Sequence, residues 1–85
     1  MKKQEIFEKF IELIEEYVKE KEKLETAAME TAIIGDLKVN SARLVDIIIK
    51  VEDTFDIEIE DDDADKIKTI GDAVDIIEAK LSVTG

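Results

Sequence analysis

Residues 38–63 read KVNSARLVDIIIKVEDTFDIEIEDDD, a lone serine, then an apolar run at helical spacing, then a crowd of carboxylates. Leu44, Ile47, Ile48, Val51 and Phe55 recur every three or four residues, the buried stripe of an amphipathic helix that begins near Ser41. At 3.6 residues per turn, Ala42, Asp46, Ile49 and Asp53 fall together on the opposite face. Ile49 therefore stands in solvent between two carboxylates, either one of the single exposed apolar residues common on any surface or an apolar anchor inside an acidic docking patch. Ser41 admits two readings. A serine ahead of an apolar helix is ordinarily an N-cap, its oxygen satisfying orphan backbone N–H groups. The other reading turns its hydroxyl outward at the positive end of the helix dipole, where an attached phosphate is favoured.

Outward from this stretch, the segment DIEIE (56–60) alternates like a strand but finds no partner strand, so it reads as a loop turning Ile57 and Ile59 inward. A short helix is expected from about Asp62 to Lys66, where acids suit a positive helix N-terminus. Thr69-Ile70-Gly71-Asp72 resembles a capping box with Asp in place of Glu, and Ala73, Val74, Ile76, Ile77 and Leu81 supply a last amphipathic helix. Upstream, Ile6, Phe10, Leu13 and Tyr17, joined by Phe7, Ile11, Ile14 and Val18, make a first helix. Glu20 interrupts this stripe before three heptads are complete, too soon for a coiled coil. From about residue 23 to 40 the periodicity lapses while Ala27, Ala28, Met29, Ile33, Ile34 and Leu37 stay apolar, which predicts a long connection lying over the core. The expected fold is all-α, a small bundle of three longer helices and one short helix, in a single domain spanning residues 1–85.

Composition narrows the function. The 85 residues include fourteen Ile, five Leu and six Val, enough for a compact core, while 41% charged residues and no Pro favour uninterrupted helices. Without Cys there is neither a disulfide frame nor a thiolate zinc site, and without His the commonest general base is missing, so no catalytic residues are assigned. A net charge of −11 repels nucleic acid and anionic membranes and attracts basic protein surfaces. Residues 1–25 carry eight acids and six bases, net −2; residues 36–65 carry eleven acids and three bases, net −8. The docking surface is accordingly expected in the second half of the chain. No signal peptide and no apolar span of about twenty residues is apparent, and a cytoplasmic monomer is expected. Asp61, Asp63 and Asp65 have the alternate spacing of a calcium loop, but Lys66 stands where that loop needs Gly and Asp72 where it needs a bidentate Glu, so no metal site is assigned.

Residues 30–81 resemble the acyl carrier protein family. Asp36-Leu37 ahead of Ser41, followed by VEDTFDIEIEDDDADKIKTIGDAVDII, is similar to that family's second helix, acidic loop, short third helix and fourth helix in their usual order. The resemblance implies that Ser41 carries a 4'-phosphopantetheine group, donated by coenzyme A and installed by a phosphopantetheinyl transferase, whose terminal thiol holds acyl groups as thioesters. It further implies that Asn40, Ala42, Asp46, Ile49, Glu52, Asp53 and Asp56 meet basic surfaces of acyl-handling enzymes of fatty acid or polyketide synthesis. A cavity for the acyl cargo is implied near Ile48, Val51, Ala64, Ile67 and Ala73, residues that plain core packing explains equally well. The family typically reads Gly-x-Asp-Ser-Leu at the attachment point; this chain reads Lys38-Val39-Asn40-Ser41-Ala42, with Arg43 following. Those departures leave open a second reading, an unmodified acidic helical module that binds or regulates a partner.

Overall fold

The computed structural model describes residues 2–84, so Met1 and Gly85 of the expected domain lie outside the described residues. Four α-helices follow in order: α1 (Lys3–Ile14), α2 (Leu44–Phe55), α3 (Asp61–Asp65) and α4 (Ile70–Thr84). Short 3₁₀ turns extend α1 through Glu15–Tyr17, punctuate the long connection at Lys21–Thr26 and lead into α2 through Ser41–Arg43. The all-α expectation of three longer helices and a short one holds, with α3 beginning one residue earlier than expected.

The four-residue recurrence Ile6, Phe10, Ile14, Val18 places one stripe of α1 and its extension wholly inside, and Phe7, Ile11, Leu13 and Tyr17 flank it half-buried. This stripe packs most extensively against α4, which contributes Ile70, Ala73, Val74 and Ile77, and then against α2. In α2 the buried residues are Ile47, Val51 and Phe55, each contributing about 1.5–3 kcal/mol by leaving water. Leu44 and Ile48, expected in the same stripe, are only half-buried: they sit at its flanks, and the stripe that faces α1 is narrower than the sequence pattern.

The long connection covers the core as expected, burying Ile33, Leu37 and Val39, although Ile34 is turned out to solvent. Its lapse of helical period has a cause, since its backbone pairs with a distant segment. Ala32 and Thr69 form an antiparallel bridge. Around it Ile33 N donates to Lys68 O at 3.0 Å, Ile70 N to Thr31 O at 3.0 Å and Gly71 N to Met29 O at 2.7 Å. A Cβ on residue 71 would stand 2.9 Å from the Met29 carbonyl oxygen, so only glycine admits this approach.

The capping box at the start of α4 is present and reciprocal. Asp72 N donates to Thr69 Oγ1 at 3.1 Å, while Asp72 Oδ2 accepts from Thr69 N at 3.0 Å and Lys68 N at 3.1 Å. These N–H groups hold the Asp72 carboxyl below its ordinary value. Residues 56–60 form the expected loop, with Ile57 buried and Ile59 half-buried. Asp56 ends α2 in the left-handed conformation at φ 54°, its N–H donating to Glu52 O, and Ile57 N donates to the same oxygen at 3.2 Å. Among the described residues, no helix is long and apolar enough to cross a membrane.

Candidate functional site

Ser41 sits at the mouth of α2, held from both sides. Leu37 and Val39 are buried, and Lys38 between them takes φ 58°, so the chain doubles sharply as it leaves the connection. Asn40 is extended at φ −64° and ψ 128°, and its Oδ1 accepts from Ala42 N at 2.9 Å; Arg43 N donates to Asn40 O at 2.8 Å. The N-cap is thus Asn40, not Ser41, and this corrects the ordinary reading of the serine. An amide oxygen has done what a serine oxygen would otherwise do. Ser41 is exposed, and its hydroxyl makes no hydrogen bond among the described residues. Chemically it is a free primary alcohol at a helix entrance with no base hydrogen-bonded to it, suited to receive a group from another enzyme and unsuited to act as a nucleophile alone.

Down α2, Ala42, Ile49 and Asp53 are exposed and Asp46 is half-buried, as their shared face requires. Ile49 is 50% exposed. Val45, at 60%, is exposed further still, and sequence reasoning missed it. The signal was present, because residues four apart on a helix lie about 40° from each other. Val45 and Ile49 therefore form one apolar ridge with carboxylates beside it. Asp46 Oδ2 accepts from Arg43 Nη1 at 3.1 Å, so part of that carboxylate is turned back toward the serine turn. Glu52 is half-buried and its Oε2 accepts from Ile59 N at 2.8 Å, which pins the 56–60 loop to α2. Asp56 is exposed.

Of the residues assigned to a cargo cavity, Val51, Ile67 and Ala73 lie in the buried core, whereas Ile48 and Ala64 are half-buried. Asp61, Asp63 and Asp65 do not converge. Asp63 reaches Lys80 at 3.0 Å, tying α3 to α4; that contact holds the Asp63 carboxyl below its ordinary value and raises the lysine. No group of three or more acidic side chains is placed to hold a metal ion among the described residues. Lys50 meets the Glu16 carboxylate and lies 5.4 Å from the Tyr17 ring centre, fastening α2 to the end of α1. The same contact lowers the Glu16 carboxyl and raises the Lys50 ammonium from their ordinary values.

Residues 12–77 match the family model described as the phosphopantetheine attachment site. An acyl carrier protein of Lactobacillus acidophilus is 40% identical over 80 residues, covering 93% of this chain and 96% of that protein. One of Coprothermobacter proteolyticus is 36% identical over 81 residues, covering 95% of this chain and 96% of the relative. The crystal structure of an acyl carrier protein from Thermotoga maritima matches with a TM-score of 0.82 at 30% identity, over 100% of this chain and 96% of that one. Fold and matched region together define a phosphopantetheine attachment domain. The chain belongs to the acyl carrier protein family. Membership brings with it a 4'-phosphopantetheine prosthetic group, and an exposed, unbonded hydroxyl on Ser41 is chemically fitted to hold one.

Proposed function

We propose that Ser41 is the attachment point of the arm, transferred from coenzyme A by a separate phosphopantetheinyl transferase. On this reading the chain, as one domain over residues 1–85, presents acyl groups to partner enzymes of fatty acid or polyketide synthesis and does no catalysis of its own. The observation that carries the proposal is the uncommitted Ser41 hydroxyl, left free because Asn40 caps the turn. A second point supports it: the chain has two serines, and of Ser41 and Ser82 only Ser41 falls within the matched residues 12–77. Bound there, the arm supplies a thiol, which a chain without cysteine lacks.

The residues around it divide the remaining work. Val45 and Ile49 offer an apolar ridge to a partner, and Asp46, Asp53 and Asp56 surround it with charge that steers basic surfaces toward it. Asn40 and Ala42 flank the serine and meet whichever enzyme approaches it. Glu52 serves this surface from its edge by fixing the loop that carries Asp56. Ile48 and Ala64 line the way in for an acyl chain, and Val51, Ile67 and Ala73 are the core residues that part to receive it.

Mass spectrometry after incubation with coenzyme A and a phosphopantetheinyl transferase tests the attachment. Wild-type protein is expected to gain the mass of one arm and Ser41→Ala to gain none. No gain with any transferase, including one encoded nearby, favours instead an unmodified acidic module, for which Asn40, Ala42 and Arg43 are the residues in favour.

A further inference from the structure

Beside Ser41 the surface is concave. Glu16, Tyr17 and Lys19 at the end of α1, with Asn40 and Arg43 from the serine turn, line a groove of about 510 Å³. Its chemistry runs against that of the molecule. In a chain of net charge −11, this groove presents hydrogen-bond donors. Its one carboxylate, Glu16, is met by Lys50. Lys19 is exposed and makes no ion pair among the described residues. Arg43 gives Nη1 to Asp46, which leaves most of its five donors unused. Asn40 has its Oδ1 occupied by Ala42 N, so the free part of that amide is its NH₂ group. An ammonium, a guanidinium fork and an amide NH₂ together make a set matched to a phosphate.

We propose that this groove receives the phosphate through which the arm is joined to Ser41. The inference rests on Ser41 being the attachment point. Asn40 immediately precedes the serine as the cap of its 3₁₀ turn and Arg43 closes that turn, so a group bonded to the Ser41 oxygen starts one or two residues along the chain from two of the groove's lining side chains. There the phosphodiester, with one negative charge and two free oxygens, accepts from the Arg43 fork, and Lys19 compensates its charge from the α1 side. The root of the arm is thereby drawn toward α1, away from the carboxylates of Asp53 and Asp56, while its far end stays free. Arg43 and Lys19 act here as positioning residues.

The test compares the fully loaded protein, its mass confirmed, with the unmodified protein by nuclear magnetic resonance. Loading is expected to shift the Tyr17 ring and Lys19 amide resonances in addition to those of residues 40–43. In a Lys19→Gln, Arg43→Gln double variant brought to the same loaded mass, the Tyr17 and Lys19 shifts are expected to be lost and the phosphorus resonance to move. Changes confined to residues 40–43 in loaded wild-type protein overturn the groove but leave the attachment standing. A protein that never gains the mass overturns the attachment, and the groove assignment with it.

Discussion

Lys38 holds its backbone at φ 58°, a region in which a side chain with a Cβ is strained and glycine is not. The strain persists because both neighbours, Leu37 and Val39, are anchored in the core, and only a left-handed residue between them lets the chain reach Asn40 in the extended geometry that caps the next turn. The family's usual glycine at this position is thus a backbone requirement, which this chain meets with lysine. Lys38→Gly is therefore expected to stabilise the fold. Relief of strain outweighs the added freedom of the unfolded chain, for a gain of about 0.5–1 kcal/mol. That is a rise in melting temperature of roughly 2–8 °C for a domain of this size, read by thermal denaturation. A lower melting temperature would mean that the lysine side chain makes up for its backbone. Asn40 is the complementary case, since it departs from the family's Asp in charge yet keeps the carbonyl oxygen that the cap needs.

At the scale of elements, the entrance to α4 is the joint on which the connection, α3 and α4 meet. Thr69 takes part in the bridge with Ala32, and Asp72 closes the capping box on the following turn. Asp72→Ala removes the two hydrogen bonds that its carboxylate accepts from Lys68 N and Thr69 N, and about 1–2 kcal/mol of stability is expected to go with them. The pH dependence has a definite sign. The folded-state carboxyl lies below its ordinary value of 3.8, so its contribution is complete above that value and is lost as pH falls through the lower folded value. Urea unfolding of both proteins checks this: the difference is constant from neutral pH down to the carboxylate range and closes below it. A difference that persists in strong acid would assign the effect to packing. This box was legible in four consecutive residues, as were α1, α2 and α4, because each rests on contacts within a turn or two. The Ala32–Thr69 bridge was not legible. It joins residues 37 apart that carry no pattern in common, and only the lapse of periodicity marked where it falls. The same limit applies at the site. Ser41 stood out from its neighbours, but which oxygen capped the turn depended on a choice between adjacent side chains that only the backbone geometry decides.

For the whole molecule the deciding quantity is the distribution of charge. Residues 36–65 hold eleven acids against three bases. Within that span, Arg43 pairs with Asp46 locally and Lys50 is directed to Glu16 on the 3₁₀ extension of α1, so neither is spread among the acids from Glu52 to Asp65. Lys80 reaches in from α4 to Asp63. The exposed pairs Arg43–Asp46 and Lys50–Glu16 contribute little to stability, whereas uncompensated carboxylates on α2, the loop and α3 repel across distances that water screens incompletely at low ionic strength. The two effects respond to salt in opposite directions, and the excess of acids decides which prevails. Raising ionic strength from about 0.01 M to 0.1 M shortens the screening length from about 30 Å to 10 Å, which removes most repulsion between elements and touches the close pairs least. The melting temperature is therefore expected to rise with sodium chloride over this range and to level off above it. Because the acids run with no base among them from the end of α2 through the loop into α3, neutralising Asp56 and Asp62 together, as Asp56→Asn and Asp62→Asn, should reproduce part of the gain and flatten the salt dependence. A melting temperature flat or falling with salt in the wild-type protein would show that the folded chain tolerates its acidic half without strain.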